Sequence, residues 1–537
     1  MKLNQNNNLI VQFLKQRKWE TVRIIIFGII SNILSILIPV SIGKYYELVF
    51  HLNTRRVKSL SIIPDEFWDT PSKFLIFFSV LIIIRFAFFF LYEYSLRKEA
   101  IIFIKEIKDF LFGHQLKVKY TIYKEKGIGK YLLRYSGDIN SLKNLYIKGT
   151  IRVFIDVIMI VIALYWLWIL NRNGAIAILL LSSLFYLILR LINKKLEFYS
   201  ILKRNKTSGQ LSFVSRSLNS ILNIKILNKQ NVELKKYKKK SNSIKNASIV
   251  YTKWFVINKG FISFIQYTIL SVILYIFYKD SIENGETGSH LISFILLYIT
   301  ILPVIRRLFS LESVYKLGNI SLKKLNNILQ LDVDAINKGE TLTISNPTIA
   351  FENVVFQNNF KNPINFIAKK NNLNILFLPK GISSLDIIYT ILKINSIYSG
   401  DIKINKISIR KYSPKSLRNQ IAIASQYVPI YGRTVYEAIT KYRSKRIKKE
   451  LLSLYESLRA PFSEHIKLKL DNTIGENGSK LSKIEIEFLA LVRGIIQKKR
   501  IIIASEFPLL KSINKIELFN ILKKQKATVI LIKQKKN

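Results

Sequence analysis

The segment Leu378-Pro-Lys-Gly-Ile-Ser-Ser-Leu-Asp386 lies between two apolar stretches. The first, Leu373–Leu378, reads as a buried strand, and the second, Leu385–Ile394, as a helix. Strand, glycine loop and helix form the layout that cradles a phosphate. Such a cradle needs glycines for close backbone approach, a lysine for the outer phosphates and a Ser or Thr hydroxyl for Mg²⁺. Gly381 is present, but Ser384 stands at the lysine position and Leu385 at the hydroxyl position. The form of the cradle is kept without its chemistry. Ser383 with Asp386, and Ser482 with Glu485, also have the spacing of a capping box. In such a box the side chains take up helix N–H groups that an anion would need. They also put a carboxylate where the anion's charge would arrive. Both helix ends are therefore expected to be closed by their own side chains.

The rest of the chain supplies the setting for these residues. A chain of 537 residues calls for two or more domains. Of these residues 49% are hydrophobic, and the mean hydropathy is +0.20, high for a soluble protein. Six apolar runs of spanning length fill the first 320 positions: Val22–Tyr46, Phe74–Leu96, Phe154–Leu170, Ala175–Ile192, Trp254–Tyr278 and His290–Phe309. The first is too long for a signal peptide and has no small-residue cleavage site. An even number of spans puts both termini on one side.

Long, Lys- and Arg-rich connections, Arg97–Arg152 and Lys194–Lys253, alternate with short ones carrying Asp65, Glu66 and Asp69, then Asp280, Glu283 and Glu286. The positive-inside rule assigns the basic side and both termini to the cytoplasm, which reads as a multi-pass protein of an inner or plasma membrane. The Asn171–Gly174 turn then lies outside. The basic segments are expected to continue as helical hairpins with tips near Gly137–Asn140 and Leu218–Ile226. The net charge of +50 is scattered and flanks the spans, which suits anionic lipid headgroups and argues against a nucleic-acid partner. The absence of Cys and four scattered His residues exclude disulfides, thiolate metal sites and a histidine metal centre. Arginines inside apolar spans are functional candidates. Arg85, Arg306 and Arg307 are such candidates, and would attract an anionic substrate group. The competing role is an ion pair within the bundle, for instance with Glu93 or Glu312, or snorkelling to the interface.

Beyond Asp332–Pro347 the apolar runs give way to short strands alternating with helical patterns, so the domains are read as 1–335 and 336–537. Strands are expected at Thr348–Phe356, Leu373–Leu378, Gly400–Ile404, Gln420–Ser425, Arg500–Ala504 and Thr528–Ile532. They argue for an α/β layer fold with a parallel core.

The order of segments resembles a half-size ABC exporter, a six-helix membrane domain followed by a nucleotide-binding domain. The resemblance rests on Gly127–Ile139, Ser321–Leu329, Tyr398–Asn405 with Ser416–Arg418 and Ser425-Gln426, and Gly432–Ile439. It implies an α-helical membrane bundle of six transmembrane helices followed by an α/β, P-loop-like ATPase domain. That domain reads as C-terminally shortened, because the chain stops three residues past Gln534 and the closing helices would be missing. In the family a lysine would occupy Ser384, a hydroxyl residue Leu385, and glycines Leu378 and Ser383. The adenine-stacking aromatic falls on Asn358, and the signature Leu-Ser-Gly-Gly-Gln reads Leu481-Ser-Lys-Ile-Glu485. The magnesium-binding aspartate falls on Ser505, Glu506 keeps the general-base position, and the switch histidine falls on Gln534.

With no intact catalytic set, the resemblance implies that this chain is not an ATPase on its own and holds no cofactor or metal by itself. Gly381, Ser383, Ser384, Gln426, Ser482 and Lys483 are the residues at nucleotide-facing positions. A composite site shared with a second half-transporter carrying intact Walker motifs could hold ATP and Mg²⁺, making this chain the non-catalytic half of a heterodimeric exporter. The alternative is a pseudo-transporter that serves as a membrane scaffold without using nucleotide.

Overall fold

The computed structural model describes residues 9–50, 70–126, 131, 133–135, 137–284, 288–343, 347–356, 359–395, 399–440 and 448–535. The chain forms two compact units. One comprises residues up to Val118 together with Tyr123–Asp332, and the other Lys119–Ile122 together with Val333–Asn537. Asn358, parts of Gly127–Ile139 and Tyr398–Asn405, and the acidic Asp65, Glu66, Asp69 and Glu286 lie outside the described residues.

The first unit is helical: α1 (Lys18–Val49), α2 (Pro71–Gln115), α3 (Gly137–Tyr146), α4 (Arg152–Leu170), α5 (Arg172–Asn219), α6 (Gln230–Asn284), α7 (Gly288–Phe309) and α8 (Leu311–Leu329). Among the described residues six helical segments are long and apolar enough to cross a membrane, and each contains one of the expected spans. Only a helix satisfies every backbone polar group within one apolar segment, so these runs have no other spanning form open to them. Their outward faces carry bare apolar side chains such as Ile76, Ile83 and Phe86. A surface of that kind suits lipid. Local signals set the ends. Thr70 caps α2 with Pro71 in its first turn, and Asn171 accepts from the Gly174 N–H at 2.7 Å to start α5.

One expectation needs correction. The first tip is not at Gly137–Asn140, which opens α3. Instead α2 runs to Gln115 and is followed by the short helix Tyr120–Lys126. The reason is Asp138, a turn-like residue that the fold buries. Its carboxylate takes the guanidinium of Arg134 at 2.7 Å, Arg204 from α5, and the hydroxyl of Ser321 on α8 at 3.1 Å, with the Lys324 ammonium 3.8 Å away. The second tip is formed by Ile221–Ile226, within the expected stretch.

Around Asp138, α3 and α8 are fastened along their length. Gly318 lets Leu145 approach so closely that a Cβ there would lie 2.5 Å from the Leu145 methyl. One turn earlier, Tyr315 donates to the carbonyl of Gly149, which lies in the π-helical segment Ile147–Ile151 joining α3 to α4. A π turn frees a carbonyl from the helical ladder, and here a side chain claims it. Further ion pairs form in this unit: Glu93 with Arg97 on the same helix and with Arg152 of α4, Glu99 with Arg17 just before α1, and Asp156 of α4 with Arg307 of α7.

The second unit has two sheets. β1 (Ile349–Phe356), β2 (Asn359–Ala368), β4 (Ser399–Ile404) and β5 (Ile407–Ser408) form an antiparallel sheet ordered β2-β1-β4-β5. β3 (Leu373–Leu378), β6 (Ile421–Ala424), β7 (Ile501–Ser505) and β8 (Thr528–Gln534) form a sheet ordered β3-β8-β7-β6, with all pairs parallel. Every residue of β7 is buried, as expected of a parallel strand covered on both faces. The helices α9 (Ser384–Ile391), α10 (Lys483–Ile496) and α11 (Pro508–Ile513) follow the strands or pack on them.

Replacing Asp138 by Ala would leave several cations gathered around an empty site. It should lower the stability of the full chain in detergent by about 3–5 kcal/mol. Asp138→Asn, which keeps the Ser321 hydrogen bond, should cost clearly less. Thermal unfolding of the two variants checks the ranking.

Candidate functional site

β3 delivers the chain into the loop Pro379–Ser383, where Gly381 adopts φ +91°, a conformation that favours glycine. Ser383 is the N-cap of α9, and the box closes in both directions. The Asp386 N–H donates to Ser383 Oγ at 3.2 Å, while the Ser383 N–H donates to Asp386 Oδ2 at 2.9 Å. The Ser383 hydroxyl also donates to that oxygen, at 2.8 Å. The loop is held from behind as well. Gln534 Nε2 donates to the Ile382 carbonyl at 2.8 Å, and the Lys535 N–H to the Leu378 carbonyl at 3.1 Å. Gln534, expected at a switch position, is thus a strut under this loop. Ser384 and Leu385 sit half-buried in the first turn of α9.

The second helix start repeats the arrangement. Ser482 caps α10, with its N–H donating to Glu485 Oε2 at 2.8 Å and its Oγ accepting from the Glu485 N–H at 3.3 Å. Lys483 is the first residue of α10.

The end of β7 carries the next of the expected positions. Ser505 is fully buried, and among the described residues its hydroxyl has no hydrogen-bond partner. Glu506, next along, pairs with Lys511 at 3.3 Å, and its backbone carbonyl accepts from Gln426 Nε2 at 3.3 Å. Glu506 is therefore part of a local ion pair, and Gln426 is tied to the same turn.

Two residues that sequence reasoning passed over organise this region. Arg493, on α10, donates to the carbonyls of Ser425 (3.0 Å), Val428 (3.3 Å) and Pro429 (3.1 Å), fastening the turn that carries Gln426 to the helix started by Ser482. Glu487 accepts the N–H groups of Leu509 and Leu510, both at 3.0 Å, at the start of α11. Neither leaves a local spacing that sequence alone could flag, because their partners lie 22 to 68 residues away. Burial pushes the Glu487 carboxyl above its usual range, and the two N–H donors offset part of that rise.

These groups do not fit a Mg-triphosphate. At each helix start two N–H groups are taken within the chain, those of Ser383 and Asp386 and those of Ser482 and Glu485, and a carboxylate adds negative charge there. No group of three or more His, Cys, Asp or Glu among the described residues could hold a metal ion. Of the arginines in the spans, Arg307 makes a bidentate contact with buried Asp156 at 2.9 and 2.7 Å, and Arg85 Nε donates to Ser35 Oγ at 2.9 Å. Arg306 donates to Gln266 Oε1 and lines a small cavity between α5, α6 and α7.

A family model described as the ABC transporter transmembrane region matches residues 22–303. The ATP-dependent lipid A-core flippase of Haemophilus ducreyi is 21% identical over 467 residues, covering 83% of this chain and 78% of that protein. The flippase of the same name from Escherichia coli K12 is 22% identical over 413 residues, covering 74% and 69%. Among solved structures, a bacterial Atm1-family ABC exporter with ATP bound superposes with a TM-score of 0.76 at 14% identity. That match covers 97% of this chain and 92% of the other.

Ser383→Ala and Ser482→Ala should each cost about 1 kcal/mol, the usual value of a lost N-cap, read from thermal unfolding of the full chain. Glu487 gives a pH signature. Its raised pKa means the folded state holds that proton more tightly than the unfolded chain. The stability it contributes is present at acid pH and falls as pH rises from the ordinary carboxylate range through the raised value. Glu487→Gln should flatten this part of the stability–pH curve.

Proposed function

This chain belongs to the ABC transporter family as a half-size exporter, and from that premise we propose that it is the non-catalytic half of a two-chain export machine. The observation that carries the reading is the closure of both helix starts, at Ser383–Asp386 and Ser482–Glu485, by the chain's own side chains. Phosphoryl transfer depends on positioned charge, supplied by a lysine, a metal and oriented N–H groups. Here the lysine position is Ser384, the metal-binding aspartate position is Ser505, and two N–H groups at each helix start are engaged by the capping boxes. Loss of one preorganised donor alone commonly costs about 10²–10³ in rate. Glu506, paired to Lys511, cannot replace the set. The nucleotide-binding domain is degenerate on this reading, and the energy for transport comes from a second half-transporter with intact Walker motifs.

In such a pair, one nucleotide would be held by the partner's own phosphate loop and faced by Leu481–Glu485 of this chain. Ser482 and Lys483 are the groups this chain would offer there. The opposite site, built on Ser384, stays silent. The excess of Lys and Arg on the long connections supports cytoplasmic termini in an inner or plasma membrane. The lipid named for the flippases supports a lipid or other amphipathic substrate here as well. Of the three span arginines, Arg307 is held by the Asp156 carboxylate, while Arg85 donates to Ser35 and Arg306 to Gln266, neutral partners that leave both charges for such a substrate.

One observation favours the scaffold alternative. The Glu485 carboxylate sits at the helix start that a partner's nucleotide would face, and its charge repels phosphate.

Pull-down of the full chain from its native membrane separates the two readings. The exporter reading expects a stoichiometric half-transporter with intact Walker motifs and vanadate-sensitive ATPase activity in the pair but not in the lone chain. Glu506→Gln in this chain should leave the pair's rate unchanged. Substrate-independent recovery of this chain without such a partner supports the scaffold. ATP turnover by the lone chain that is abolished by Glu506→Gln would overturn both.

A further inference from the structure

A strand at the edge of a sheet leaves half its backbone N–H and carbonyl groups without a ladder partner. Proteins protect such edges by keeping them short, bulged, charged or interrupted by Pro. The second unit has four edges, β2 and β5 in one sheet and β3 and β6 in the other. Three are protected. β2 carries Pro363, and its register with β1 shifts twice. β5 is two residues long, and β6 is four, with its side chains buried or half-buried. β3 is different: six residues, Leu373-Asn-Ile-Leu-Phe-Leu378, with no Pro or charge among them and an unbroken register against β8.

The open side of β3 can be assigned residue by residue. In a parallel ladder each residue turns its N–H and carbonyl to the same side, and successive residues alternate. The Asn372 carbonyl accepts from the Val529 N–H at 2.9 Å and the Leu378 carbonyl from the Lys535 N–H at 3.1 Å, so the even-numbered positions face β8. Leu373, Ile375 and Phe377 therefore turn their backbone groups the other way, where among the described residues no strand pairs with them. A parallel sheet normally has both faces covered, yet the Phe377 side chain is 58% exposed. Charge says what would fit beside it. Lys369 and Lys370 precede the strand, Lys380 follows it and Lys535 follows β8, all of them exposed. A second copy of this chain would bring the same basic flanks and be repelled, whereas acidic flanks would be drawn in.

We propose that the open edge of β3 accepts an extended segment of another polypeptide, apolar in its middle and acidic at both ends, as an added strand. Backbone hydrogen bonds to Leu373, Ile375 and Phe377 hold the segment, an apolar side chain covers the Phe377 ring, and the acidic ends meet the lysines. The proposal goes beyond the pairing with an ATPase-competent half and does not depend on it.

Fluorescence anisotropy of a labelled nonapeptide, Glu-Glu-Val-Thr-Val-Thr-Val-Glu-Glu with blocked ends, against the detergent-purified full chain tests this. The proposal expects one peptide per chain, bound about tenfold more weakly when lysines replace the glutamates. Two analogues carry N-methyl groups on alternate backbone amides, one on the valines and the other on the threonines. Only one of these sets can face β3, so one analogue should bind about tenfold more weakly or worse while the other matches the parent. Phe377→Asp should weaken the parent peptide about tenfold. Ile367→Asp, at an exposed position on the protected β2 edge, should change nothing. No binding, equal behaviour of the two methylated analogues, or equal binding of the lysine peptide overturns the proposal. Self-association of the lone chain that Phe377→Asp abolishes would assign the edge to a second copy and overturn it as well. The titration uses neither nucleotide nor a half-transporter, so its failure is distinct from failure of the pairing experiment.

Discussion

The N–H groups at the start of a helix can be satisfied by the chain itself or by a ligand, and a group taken by one is closed to the other. In this protein Asp386 and Glu485 reach back to the caps of α9 and α10, so two N–H groups at each helix start, those of the cap and of the third helical residue, are paired within the chain. Much around them follows from that. Ser384 and Leu385 sit half-buried in the first turn that follows the first box. Gln534 braces the loop from beneath at Ile382, and Glu506 turns to Lys511. The region is a hydrogen-bonded structure in its own right, and its parts are fastened to one another.

The membrane unit obeys a related rule. Charges withdrawn from water must be paired or left facing something that will pair them. Asp138, Asp156 and Glu99 are all buried, and each has a basic partner from another helix or from a position distant in sequence. These pairs hold α3, α5 and α8, and separately α4 and α7, in fixed relation, aided by the close contact at Gly318 and the claimed carbonyl at Gly149. Against that background the exceptions stand out. Ser182 Oγ and Gln266 Nε2 lack the partners that comparable groups have.

Features written in local spacing were legible in the sequence. The six spans, the strand–loop–helix at Gly381 and both capping boxes need only residues within a few positions of each other. What was not legible depends on distant partners. β2, with Asn359, Asn362, Pro363 and Asn365, is not among the expected strands; it is an edge strand, where Pro is tolerated and pairing with β1 decides the conformation. Gly137, Asp138 and Asn140 carry turn chemistry, yet Arg204 and Ser321 draw Asp138 into a helix. Asp156 as the acid for Arg307 lies 151 residues away, and neither Glu93 nor Glu312 takes that place. Arg493 and Glu487 act on backbone carbonyls and amides, which have no sequence signature at all.

The account depends on the two helix starts being closed, and amide hydrogen exchange reads those N–H groups individually. In the full chain the amides of Ser383, Asp386, Ser482 and Glu485 should exchange at the same rates with and without saturating Mg-ATP. Slower exchange at Ser383 and Asp386 on adding the nucleotide would mean that phosphate displaces the carboxylate, and would contradict the account.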